Sequence, residues 1–104
     1  MQTHPAKRIE IIIEAPLLRR LTRALDKAGV TGYTVLPVLA GSGKSGPWTR
    51  EGQVSSAGGM AAVVLIAAPD KADPILETAF EVVESHIGIV NVTDTQVIRP
   101  ARFG

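Results

Sequence analysis

The chain has no cysteine. Disulfides, thiol redox chemistry and cysteine-type zinc sites are therefore excluded, and a reducing compartment is favoured. Aromatic residues are nearly absent as well: Tyr33, Trp48, Phe80 and Phe103 are all there are, so the core must be aliphatic. Neither sign of charge is in excess. Eleven Lys and Arg against ten Asp and Glu leave a formal charge of +1, which lacks the broad basic footprint of a nucleic-acid binder. No apolar run approaches the roughly 20 residues of a membrane-spanning helix. The "IEIII" that follows "MQTHPAKR" is shorter than the core of a signal peptide, and the chain reads as cytoplasmic. The two histidines, His4 and His86, are far apart and lack ligand spacing, so no metal site is expected. Glu10, Glu14, Glu84 and Asp94 form no recognisable acid/base pair, and no catalytic group or cofactor is expected.

What remains is a short aliphatic chain. Its 104 residues, 45% hydrophobic and 20% charged, make one domain (1–104) with little room for a separate catalytic unit. In residues 7–14, Ile9, Ile11 and Ile13 alternate with Arg8, Glu10 and Glu14, which predicts a strand with one core-facing side. "APLLRRLTRALDKAG" then changes period. Leu18, Leu21, Leu25 and Ala28 share a helical face, Pro16 suits the first turn and Gly29 suits the stop. "TGYTVLPVLA" predicts a second strand, in which Pro37 requires a bulge or an unpaired edge. "GMAAVVLIAAP" predicts a third. "DPILETAFEVVESH" predicts a second helix capped by Asp73, with Pro74 in its first turn and Leu76, Phe80, Val83 and Ile87 on the buried side. "GIVNVTDTQVIR" predicts the last strand.

This order, βαββαβ, predicts an α+β ferredoxin-like fold: a four-stranded antiparallel sheet with both helices on one face. Strands two and three carry apolar side chains on both faces, whereas a sheet wetted on one side should alternate cleanly. The second face is therefore expected to be buried between subunits, in a closed symmetric ring.

Residues 41–59 show no period and are rich in Gly and Ser. A loop of that length inside a compact domain is functional or disordered. It opens with Gly41-x-Gly43-x-x-Gly46, but a dinucleotide fingerprint needs a helix after its glycines, and "GPWTREGQ" has no helical period. A P-loop ending in Gly43-Lys44-Ser45 would need glycine at position 38, which is Val38. Two readings stay open at this point: a flexible Gly/Ser hairpin, or an anion nest of backbone N–H groups assisted by Lys44. Trp48 in the same loop suits either packing on its own domain or a partner anchor, and Arg50 beside it either solvent or that partner. Arg99 and Arg102, just beyond the last strand, are either surface charge or guanidinium forks for phosphate.

"ALDKAGVTGYTV" (24–35), the Gly-rich start of a long loop after strand two, "VLIAAPDKADPILETAF" (64–80) and "VIRPAR" (97–102) together resemble the PII-like signalling proteins over nearly the whole chain. The resemblance implies a non-enzymatic homotrimer that binds adenine nucleotides in inter-subunit clefts, with a flexible T-loop at about 41–59 that engages a protein target. It further implies that Ile12 and Thr34 line the adenine pocket and that Gly41, Ser42, Gly43 and Lys44 hold phosphate. Gly88 and Ile89 stand where the family's B-loop lies, and Arg99 and Arg102 approach from the last strand.

The B-loop segment "SHIGIVN" lacks the family's glycines and lysines, the T-loop has no tyrosine, and the lysine associated with 2-oxoglutarate has no counterpart. These features, with "AGSGKSG", are more similar to the carboxysome-associated and bicarbonate-transporter-associated branch. The expected ligands are ADP or AMP, with ATP as a third nucleotide, and bicarbonate at Gly43, Lys44 and Ser45. The expected target, reached through Trp48 and Arg50, is a bicarbonate transporter or carboxysome component. Two alternatives are a nitrogen-regulatory PII protein responding to ATP and 2-oxoglutarate and, in another class, a small ferredoxin-like nucleotide phosphohydrolase.

Overall fold

The computed structural model describes residues 1–43, 46–49 and 59–99, with the side chains of 43–49 outside the description. Its first strand, β1 (His4–Glu14), begins three residues earlier than the alternation predicts. A 3-10 turn at Ala15–Leu17 leads into α1 (Leu18–Lys27). β2 (Thr34–Val38), β3 (Ala40–Gly43) and β4 (Gly46–Thr49) follow, then β5 (Met60–Ala67), a second 3-10 turn at Pro69–Lys71, α2 (Ala72–Val83) and β6 (Gly88–Val97). The main sheet has the order β2-β5-β1-β6 and every neighbouring pair is antiparallel. This is the expected ferredoxin-like arrangement.

Register explains the two faces. Ile9, Ile11 and Ile13 stand opposite Leu65, Val63 and Ala61 of β5 and are fully buried against the helices. They meet Leu21 and Leu25 of α1 and Ile75, Ala79, Val82 and Val83 of α2 in one aliphatic cluster. The alternate residues, Ile12, Leu36, Val64 and Ile89 among them, point to the other face, where Leu36 keeps 45% and Ile89 56% of its surface exposed. The single chain thus leaves an apolar face uncovered, as the two-sided strands predict. That face also carries a polar cross-strand group: Glu10 accepts hydrogen bonds from Arg8 (3.3 Å) and from Asn91 Nδ2 (3.2 Å).

Pro37 lies in β2, an edge strand, where a missing N–H can face outward. Gly29 ends α1 in the left-handed region at φ +87°. Its N–H donates to the carbonyl of Asp26 and that of Val30 to the carbonyl of Leu25, the paired bonds of a Schellman motif. Ala28, expected on the buried face, is instead the exposed residue at the helix end.

α2 corrects two expectations. It starts at Ala72 after the 3-10 turn, so Asp73 lies inside the first turn and makes no cap. Its buried side is Ala72, Ile75, Ala79, Val82 and Val83, with Leu76 only partly buried and Phe80 and Ile87 exposed. Apolar residues sit side by side at 75–76, 79–80 and 82–83, so two stripes compete. The one with Ala79 at its centre lets the helix approach the sheet closely, and Phe80 is left outside.

Gly29→Ala is expected to lower stability by about 1–2 kcal/mol, the cost of placing a Cβ in the left-handed region. A urea midpoint unchanged at equal chain concentration would contradict that assignment.

Candidate functional site

Antiparallel pairing gathers particular strand ends. The end of β1 (Ile12, Ile13) pairs with the start of β6 (Gly88, Ile89) and the start of β5 (Ala61, Ala62), and Ala62 pairs with Leu36 in the middle of β2. Leu36, Ala62, Ile12 and Ile89 therefore form one row across all four strands on the open face. Thr34, Val64, Glu10 and Asn91 form the next row. Ile12, Thr34 and Ile89 are thus brought to a single surface, with Ile12 half-buried and Thr34 exposed.

The Gly-rich segment leaves the sheet at this same end. Where no period was legible, Ala40–Gly43 pairs with Gly46–Thr49 in a two-stranded hairpin, Gly41 opposite Trp48, Ser42 opposite Pro47 and Gly43 opposite Gly46. Gly41, Ser42 and Gly43 therefore lie in β3, which follows β2 after Leu39 alone. Trp48 belongs by its backbone to β4. Lys44, Ser45, Arg50 and Arg102 lie outside the described residues, as do 51–58 of the loop.

Gly88 acquires a second reason to be glycine. It faces the helix side, opposite Ile13. A Cβ there would come within 2.8 Å of the carbonyl oxygen of Ile12 and 2.8 Å of Val83 Cγ1, contacts that real Cβ atoms do not make. Close packing of α2's last turn on β1 requires this glycine irrespective of any ligand. Sequence reasoning also missed Glu14, whose carboxylate Oε1 accepts the N–H of Ile87 at 3.1 Å. The bond ties the segment before β6 to the end of β1, and so fixes the approach to Gly88 and Ile89. A lone glutamate 73 residues away in sequence carries no signal for such a contact.

Arg99 is placed elsewhere. β6 runs from Gly88, opposite Ile13, to Val97, opposite His4, and Arg99 follows at the far end. Ten residues separate Ile89 from Arg99, about 33 Å at ~3.3 Å per strand residue. No single mononucleotide can touch both within one chain.

The family described as "Nitrogen regulatory protein P-II" matches residues 6–102. Among solved structures, CPII, a nitrogen regulatory PII-like protein from Thiomonas intermedia K12, bound to ADP, AMP and bicarbonate, is 32% identical with a TM-score of 0.88, over 98% of this chain and 96% of that one. CPII bound to ADP and bicarbonate is 34% identical with a TM-score of 0.83, over 99% and 98%. CPII bound to ADP, AMP and acetate is 32% identical with a TM-score of 0.77, over 99% and 98%. Among curated proteins none matches the chain.

The packing role of Gly88 has a direct check. Gly88→Ala should destabilise the ligand-free protein by about 1–3 kcal/mol, the range for overpacking. A glycine needed only to approach a ligand would leave the ligand-free melting curve unchanged.

Proposed function

Because the chain belongs to the nitrogen regulatory protein P-II family, we propose that it is a non-enzymatic signalling trimer that senses adenine nucleotide together with bicarbonate. The observation that carries this reading is the ligand set of CPII, bound to ADP, AMP and bicarbonate and alike over nearly the full length of both chains. Acetate in another CPII structure points to a position for a small, singly charged oxyanion.

The nucleotide lies between two copies. One copy contributes the row containing Ile12 and Ile89, with Thr34 beside it and the hairpin base Gly41–Gly43. The other contributes Arg99, with Arg102 three residues on. The apolar open face supports assembly. Fully burying a side chain such as Leu36 or Ile89 is worth about 1.5–3 kcal/mol, and Glu10 on that face already has Arg8 and Asn91 as partners. The ring is a trimer, as in the family.

Bicarbonate binds at Gly43, Lys44 and Ser45, beside the nucleotide phosphate, where backbone N–H groups and one lysine offset the repulsion between two anions. Their joint binding fixes the position of this hairpin relative to the sheet, and the fixed hairpin presents Trp48 and Arg50 to a protein target. The target belongs to inorganic-carbon metabolism, a bicarbonate transporter or a carboxysome component. A nitrogen-type sensor of ATP and 2-oxoglutarate finds less support, since residues 84–91 contain no lysine and one glycine.

Calorimetric titration tests the reading. Bicarbonate should tighten ADP binding, and ADP should tighten bicarbonate binding by the same factor. Arg99→Ala should weaken ADP by about ten- to a hundredfold, ~1.5–3 kcal/mol for a charged hydrogen bond left unmade, with Lys44→Ala acting less. An ADP isotherm indifferent to bicarbonate, and tightened instead by 2-oxoglutarate, would replace this reading with the nitrogen-type one.

A further inference from the structure

The two helices are decorated oppositely at equivalent positions. Residues 54 apart in sequence play the same part in the two halves of the fold: Leu21 and Leu25 are buried from α1, as are Ile75 and Ala79 from α2. On the side facing away from the sheet, α1 carries Arg19, Arg23 and Lys27 where α2 carries Asp73, Glu77 and Glu81, all six exposed. Both triplets follow i, i+4, i+8, so each forms a row of charges about 6 Å apart along the helix. Arg20 adds to the basic row and Glu84 to the acidic one, and Asp26 is the one carboxylate on the exposed side of α1. Among the described residues the ion pairs are Lys7 with Asp94 and Arg8 with Glu10, so neither row is neutralised within its own chain.

The helices lie side by side and antiparallel. The end of α1 (Ala28, Gly29) and the start of α2 (Asp70, Lys71, Pro74) line one small cleft. A twofold rotation about an axis parallel to the helices, lying in the surface they present, would bring α1 of one copy over α2 of another and the reverse. Lys27 then meets Asp73 of the second copy, Arg23 meets Glu77 and Arg19 meets Glu81, and each pair occurs twice.

We propose that the helix layer is a self-complementary docking face for a second copy of this chain, α1 on α2 and α2 on α1. The occupant is chosen by charge: a partner must be acidic over one helix and basic over the next at matching spacing, and the chain itself meets that condition. The face lies on the side of the sheet opposite to Ile12 and Ile89, so it joins copies other than those that cover the open face. The contact is thus independent of the proposed trimer, whose size is read separately at high salt.

Charge exchange with rescue is the test. In sedimentation at ~10 mM salt the wild type should form species larger than those at ~0.3 M salt, since exposed pairs are screened as the Debye length shortens. Arg23→Glu and Glu77→Lys should each weaken this association at least tenfold, because each reversal acts at two symmetry-related pairs. The double variant Arg23→Glu/Glu77→Lys should return to within about threefold of wild type, and unchanged circular dichroism and melting would show that all three variants fold. The proposal is overturned if wild type shows no salt-dependent association, if the single variants associate like wild type, or if the double variant is no better than the singles. It is equally overturned if the basic row instead retains single-stranded DNA or anionic vesicles while sedimentation stays the same.

Discussion

The structure depends on β1 having neighbours on both sides. Its residues pair with β5 from Lys7 to Glu14 and with β6 from His4 to Ile13, so the strand cannot slip as a whole without breaking two ladders. Because successive side chains alternate, a slip by one residue would exchange Ile9, Ile11 and Ile13 for Glu10, Ile12 and Glu14 in the core. The burial of three isoleucines, all at 0% exposure, therefore fixes which residues reach the open face. Ile12, Glu10 and Arg8 are there because Ile11 and Ile13 are not.

From that constraint the two ends of the sheet follow. One end collects the finish of β1, the start of β6 and the exit to the β3–β4 hairpin, and it is trimmed by Glu14 holding the N–H of Ile87. The other carries Lys7 paired with Asp94 and Thr3 with Gln96, and beyond them Arg99. A ligand that draws on both ends must lie between chains, so assembly and ligand binding become one problem. Burial of the open apolar face would then create the site as well as stabilise the ring.

Much of this was legible in the sequence because period and punctuation agreed. The isoleucine alternation located β1, Gly29 located the end of α1, and Pro37 left a bulge or an edge position, of which the structure has the edge. The buried side of α2 was not legible, because doublets such as Ile75-Leu76 and Val82-Val83 fit two helical stripes and only packing against the sheet selects one. A hairpin was one of two readings open for the Gly-rich segment, but Ala40–Gly43 has no alternation from which its strand bounds or register could be read. Grouping Ile12, Thr34 and Ile89 on one surface required the register, and the distance to Arg99 required the direction of β6. The hairpin base and the last strand can be named as candidate phosphate groups from sequence, but their opposite placement is a property of topology.

The proposed nucleotide site is divided between two copies, and mixed assemblies distinguish it from a site within one chain. Lys44→Glu spoils the hairpin side and Arg99→Glu spoils the far side, so neither variant alone should bind ADP. After exchange of subunits, the mixture should recover ADP binding in those clefts where an intact hairpin meets an intact Arg99. If the mixture stays as weak as its parents despite verified exchange, the site lies within one chain and is not shared between copies.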